Sequence, residues 1–206
     1  MVRIWGRINS INVRKVVWAA REAGVEFERI DAGLAFGVNN TPEYLRMNPN
    51  GKIPLMQDGD FVLWESNVIV RYLCARYAPG RLYPDALPLR FDIERWMDWQ
   101  QTTLNMASRN AFLQLIRTPP EKRDAALIAQ SNAAIEPLMA LLDERLATRR
   151  FMMGDAFTMA DIPIGCEVHR WFGLPQQRAP RPHIERWYAE MLARPATADL
   201  LQLPLT

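Results

Sequence analysis

A chain of 206 residues, 49% hydrophobic and 10% aromatic, has apolar surface enough for one large domain or two small ones and should be globular throughout. Its 25 Lys and Arg balance 23 Asp and Glu, which argues against a nucleic acid or an anionic membrane as partner. Cys74 and Cys166 lack C-x-x-C spacing, His169 and His183 lie in separate helical contexts, and no apolar run reads as a leader or a span. A disulfide framework, a metal site and a membrane segment are therefore not expected, and the cytoplasm is the expected compartment.

In chain order, Val2 to Trp5 is a short apolar run stopped by Gly6, the pattern of a buried strand. After Arg7-Ile8 come two capping residue types, Asn9 and Ser10, and then Val13, Val16, Val17 and Ala20 at helical spacing as far as Gly24. Phe27 to Ile30 reads as a second strand, and residues 32–40, with two glycines and two asparagines, as an irregular loop. Thr41-Pro42-Glu43 supplies a cap, a proline at the first helical position and a first-turn acid, starting a short helix through Met47.

Gln57-Asp58-Gly59-Asp60 is a turn signal, so residues 54–64 read as a hairpin. Ser66 follows an acid and precedes Val68, Ile69, Tyr72 and Leu73, the position of an N-cap for a helix running to about Ala78. The order is β-α-β-α-β-β-α over residues 1–79. Proline-rich residues 80–88 read as a linker, and residues 89–206 carry only helical patterns, at 89–116, 120–149, 158–172 and 181–193. Pro137 should kink the second of these, and Thr158 with Asp161 forms a capping-box variant.

A ligand site is legible in the first part. Pro54 has no N–H to give a ladder, and a cis Ile53-Pro54 bond would leave the N–H and C=O of Ile53 available to an extended peptide-like ligand. A helix starting at Ser66 offers N–H groups and a hydroxyl to a carboxylate, while Glu65 beside it suits an ammonium. Together they would grip both charged ends of an amino acid. The first β-α loop, Arg7 to Asn12, holds no Cys, Tyr or His. Its chemistry falls to the Ser10 hydroxyl or to an amide of Asn9 or Asn12, either of which donates to a thiolate and, with the helix dipole, lowers a thiol's pKa. Trp99, Thr103, Met106 and Asn110 recur at spacings of four, three and four, one face of a helix and a candidate wall for an apolar ligand.

The ordered set of Ser10, the run Asn50-Gly51-Lys52-Ile53-Pro54, Trp64-Glu65-Ser66, the proline-rich linker and Phe157-Thr158-Met159-Ala160-Asp161-Ile162 resembles the cytosolic glutathione transferases over nearly the whole chain. The resemblance implies a thioredoxin-like first domain, an all-helical second domain, a cytoplasmic homodimer, and glutathione as co-substrate with no metal. It assigns the cysteinyl backbone of glutathione to Ile53 and Pro54, the γ-glutamyl end to Glu65 and Ser66, and the glycyl side to the vicinity of Lys52. Ser10 resembles the activating serine of the theta, zeta, tau and phi types, with Asn12 sharing or replacing its role. The zeta double-serine motif is absent, as are the tyrosine and cysteine of other types. The implied reaction is attack of the glutathione thiolate on a small hydrophobic electrophile in a cleft between the domains, where Trp99, Thr103, Met106 and Asn110 would stand. Competing readings are a cysteine-free glutathione-dependent reductase or isomerase and a ligand-binding protein without catalysis.

Overall fold

The apolar run Val2–Trp5 forms strand β1, burying Val2, Ile4 and Trp5 and exposing Arg3, in a computed structural model that describes residues 1–206. Strand β2 (Phe27–Ile30) lies parallel to it; β3 (Leu55–Asp58) is antiparallel to its other side, and β4 (Phe61–Trp64) is antiparallel to β3. The sheet order is β2-β1-β3-β4. Parallel pairing of β1 and β2 needs a crossover, supplied by helix α1 (Ile11–Glu22), whereas β3 and β4 need only a tight turn, where Gly59 takes φ 61°. Helix α2 (Pro42–Met47) is capped as its sequence predicts: the Thr41 hydroxyl accepts from the Tyr44 N–H at 3.3 Å, with Pro42 at the first position. Helix α3 (Ser66–Tyr77) packs against α1, burying Ile69, Val70, Leu73 and Cys74.

Residues Met1–Arg90 form one unit and Phe91–Thr206 another. The stretch read as a linker is fastened rather than extended: Leu82 is fully buried, the Gly80 N–H donates to the Tyr83 carbonyl at 2.9 Å, and Arg81 Nη2 donates to the Glu22 carbonyl at 2.5 Å.

The second unit is helical. Its first helical path comprises α4 (Leu87–Trp99), a wider i→i+5 turn at Gln100–Leu104, α5 (Asn105–Phe112) and a second such turn at Leu113–Arg117. Helix α6 (Ala125–Ala147) is capped by Asp124, whose Oδ1 accepts from the N–H groups of Ala126 at 2.9 Å and Leu127 at 3.1 Å, and it continues through Pro137 without interruption. The expected absence of a span-length apolar segment needs correction. α6 is 23 residues long with an 18-residue window of mean hydropathy 1.3, enough to cross a membrane by composition. Its buried stripe, Ser131, Ile135, Met139, Leu142 and Leu146, follows helical spacing, and the helix packs against α5 and α8 (Pro182–Leu192).

Helix α7 (Asp161–Phe172) starts at a buried carboxylate. Asp161 Oδ1 accepts from the Met152 N–H and from Trp187 Nε1, both at 2.9 Å, and Oδ2 accepts from the Thr158 N–H at 3.0 Å. The reach of Asp161 back to Thr158 is the half of the capping box that sequence predicts. The other half differs, because the Asp161 N–H goes to the Thr158 carbonyl at 3.1 Å and the Thr158 hydroxyl turns toward the carboxylate at 3.4 Å. Burial pushes the Asp161 carboxyl up to about 6.

Candidate active site

The strand register decides what meets at one end of the sheet. Trp5 stands opposite Ile30 on β2 and Leu55 on β3, and Leu55 stands opposite Trp64 on β4. Three segments far apart in sequence therefore leave the sheet at the same end: the loop after β1 that carries Ser10, the approach to β3 through Lys52, Ile53 and Pro54, and the exit from β4 through Glu65 into Ser66. Both helices that begin there, α1 and α3, have no acid in their first turn, so no side-chain carboxylate of that turn neutralises their N-terminal dipoles.

The Ile53-Pro54 bond is cis, as the sequence suggested. No backbone group takes up the N–H or C=O of Ile53. The preceding residues are held from beneath: the Tyr44 hydroxyl donates to the Lys52 carbonyl at 2.6 Å, Asn48 Nδ2 donates to the same oxygen at 2.8 Å, and Asn39 Nδ2 donates to the Gly51 carbonyl at 2.8 Å. Burial pushes the Tyr44 phenol up to about 12, so it stays a donor throughout the neutral range. Ile53 also touches two glycine-bearing loops. A Cβ on Gly6 would lie 3.4 Å from the Ile53 Cβ, and one on Gly33 would lie 2.9 Å from the Ile53 Cδ1. These anchors escaped the sequence reading, because nothing local to Tyr44 or Gly33 says that Lys52 or Ile53 will lie beside it.

Ser66 is not the N-cap that the sequence suggested. The helix begins at Ser66 itself, which is buried to 4% exposure, and the cap position is Glu65. Glu65 takes φ 72°, ψ 109°, a conformation that costs a non-glycine residue of order 1–3 kcal/mol and that clusters at ligand sites. Glu65 is exposed, and its side chain makes no capping hydrogen bond to α3. Lys52 is exposed at the rim.

Ser10 occupies the cap position of α1, yet its side chain makes no capping hydrogen bond. The first intrahelical bond, Arg14 N–H to the Ser10 carbonyl at 2.9 Å, needs only its backbone, so the half-buried hydroxyl has no capping duty. Asn12 lies in the first helical turn, also half-buried. Neither cysteine competes for thiol chemistry: both are buried, and burial pushes the Cys74 thiol up to about 12.

In the second unit, Trp99, Thr103, Met106 and Asn110 differ in exposure. An i→i+5 turn at Gln100–Leu104 falls inside the stretch that carries them. Trp99 and Thr103 are half-buried, while Met106 and Asn110 are exposed. The core positions of this path are instead Ile93, Met97, Gln100, Leu104, Ser108 and Ala111.

Comparison with known proteins bears on the family and the fold. Residues 1–75 match the family model for the glutathione S-transferase N-terminal domain, and residues 105–195 match that for the C-terminal domain. Glutathione S-transferase GstB of Escherichia coli is 42% identical, with both chains covered completely. A crystal structure of the theta class glutathione S-transferase from Xanthomonas axonopodis pv. citri, with glutathione bound, superposes with a TM-score of 0.95 at 46% identity, over 100% of this chain and 99% of that one. Glutathione transferase F2 from Populus trichocarpa superposes with a TM-score of 0.84 at 27% identity, over 98% of each chain.

Proposed function

The chain belongs to the glutathione S-transferase family, and on that premise we propose that it binds glutathione, holds its thiol as a thiolate and adds it to a small hydrophobic electrophile. The observation that carries the reading is the unpaired N–H and C=O of Ile53 at the sheet end where Ser10 and the N-termini of α1 and α3 also lie. The cysteinyl backbone of glutathione pairs with Ile53 beside Pro54, as an added strand would. The γ-glutamyl carboxylate sits at Ser66 and the α3 N-terminus, its ammonium at Glu65, and the glycyl carboxylate toward Lys52. The sulfur then lies near α1, where the Ser10 hydroxyl or the Asn12 amide donates to it and the helix terminus favours the anion. A thiol of ordinary pKa about 8.5 becomes mostly thiolate at neutral pH if lowered by two units, about 2.7 kcal/mol of preference for the anion. Trp99 and Thr103, with Met106 and Asn110 beyond the turn, hold the apolar part of the electrophile.

The protein works in the cytoplasm, in detoxification, as a homodimer built across the helices that begin at Ser66 and Leu87. The apolar side chains Val68, Leu87, Leu89 and Phe91, exposed near those helix starts, support an interface there. Sedimentation should give twice the 23.8 kDa chain mass, and a species of single-chain mass at micromolar concentration refutes the dimer. The activity is tested by calorimetric titration with glutathione followed by incubation with an aryl halide. Saturable binding and a thioether product are expected. Absence of binding refutes the site, and oxidised glutathione formed from a peroxide or disulfide, in place of a thioether, makes the protein a cysteine-free reductase.

A further inference from the structure

The second unit contains a buried ionic network that the proposed chemistry does not use. Glu167, in the middle of α7, is 1% exposed. Its Oε2 accepts from Gln100 Nε2 at 3.1 Å; its Oε1 accepts from the Ser108 hydroxyl and from Arg170, whose Nε lies at 3.1 Å and Nη2 at 2.5 Å. Arg170 Nη2 also donates to Asn105 Oδ1 at 2.7 Å and to the Ser108 hydroxyl at 2.8 Å. The residues gripped on the other helix are not random. Gln100 opens the i→i+5 turn, Asn105 is the first residue after it, and Ser108 is one helical turn further on. One carboxylate and one guanidinium thus hold both sides of the only stretch, Gln100–Leu104, that separates α4 from α5.

A buried ion pair is weak evidence for stability, since well-packed apolar side chains of similar volume serve as well or better. An i→i+5 turn inside a helix is uncommon, and such turns are frequent at functional sites. We propose that the Glu167–Arg170 pair is a positioning device: by clamping Gln100, Asn105 and Ser108 it holds the turn in place, and so sets the direction in which Trp99 and Thr103 face the electrophile. The inference rests on the reading that this face meets the second substrate. Glu167 acts through Gln100 and Ser108 and touches no reacting atom.

The experiment compares the wild type with Glu167→Gln, Gln100→Leu and Trp99→Ala, using chlorodinitrobenzene and a bulkier aryl isothiocyanate as electrophiles. Amide exchange across residues 100–104 reports the clamp, and the split between electrophile KM and glutathione Kd reports its consequence. Glu167→Gln keeps the shape but turns an amide N–H toward the donors that the carboxylate served. It should speed exchange at the turn, raise the electrophile KM on the order of tenfold with altered preference between the two electrophiles, and leave glutathione Kd within about twofold. Gln100→Leu leaves the ion pair intact and should move the same readouts in the same direction, less far, which keeps the test decisive if Glu167→Gln folds poorly. A lower melting temperature with electrophile KM and preference unchanged, in a protein where Trp99→Ala does raise that KM, would reduce the network to plain packing. A neutral Trp99→Ala overturns the underlying reading, and the positioning role with it.

Discussion

Gly33→Ala is the sharpest probe of Ile53, because the structure supplies its own control. Gly33 takes φ 87°, ψ 151° and Gly37, in the same loop, takes φ 59°, ψ −128°. Both conformations are ones that L side chains rarely adopt, so alanine at either position should cost of order 1–3 kcal/mol of backbone strain. For a chain of this length that cost lowers Tm by roughly 2–4 °C per kcal/mol. The two sites differ in what the new methyl meets. At Gly37 nothing lies within 4 Å; at Gly33 the Cβ would stand 2.9 Å from the Ile53 Cδ1, with Cγ1 at 3.5 Å and Cγ2 at 3.6 Å.

Rotation of the δ-methyl relieves part of that overlap. Ile53 is stiff at χ1 and also hemmed in by Gly6, so the remainder should displace its backbone by a few tenths of an ångström. Weakening two backbone hydrogen bonds to a peptide ligand, each worth about 0.5–1.5 kcal/mol, raises glutathione Kd roughly three- to tenfold. Titration calorimetry should show that loss for Gly33→Ala and a change within about twofold for Gly37→Ala, with similar falls in Tm. The double variant Gly33→Ala/Ile53→Val removes the δ-methyl and should regain most of the affinity. Equal glutathione affinities for the two alanine variants would refute the contact between Ile53 and the ligand.

Ser66→Ala should weaken glutathione binding by roughly 1–3 kcal/mol through loss of a charge-assisted hydrogen bond, and an unchanged Kd would place the carboxylate elsewhere. Ser10→Ala should raise the pKa of the bound thiol, followed by thiolate absorbance against pH, and slow turnover tenfold or more with little loss of stability, since its side chain caps nothing. If Asn12→Ala moves that titration and Ser10→Ala does not, the role passes to the amide. Asp161→Asn should cost about 2–4 kcal/mol in urea unfolding, because an amide N–H would face the N–H donors of Met152, Thr158 and Trp187. The same pair of proteins tests the titration of Asp161. A carboxyl raised from 3.8 to about 6 contributes stability that is fully present below 3.8 and lost as pH rises through 6. The wild type should therefore gain on the order of 1 kcal/mol on Asp161→Asn between pH 7 and pH 5, and a constant difference would mean that the carboxylate is ionised throughout.

Local physics made much of the protein legible in its sequence. Val2–Trp5 and Phe27–Ile30 are strands because apolar and β-prone residues end at a glycine or a loop, and Thr41-Pro42-Glu43 starts a helix because each residue satisfies a different need of the first turn. Ser10, Ile53, Glu65 and Ser66 stood out because turn, cap and proline chemistry act within a few residues. The same locality explains the misreading of Ser66. Its neighbours carry the signal of a cap, but the exit from β4 forces Glu65 into a positive φ and moves the helix start by one residue.

What sequence could not determine depends on residues that only folding brings together. Tyr44 and Asn48 support Lys52, and Gly33 leaves room for Ile53, through contacts that carry no local pattern. Periodicity could name the stripe from Trp99 to Asn110 but not the wider turn at Gln100, where Glu167, 67 residues away, supplies the partner. Periodicity and capping are properties of a segment and survive in the sequence. Register, close approach and the pairing of buried charges are properties of surfaces in contact, and only the tertiary structure decides which surfaces meet.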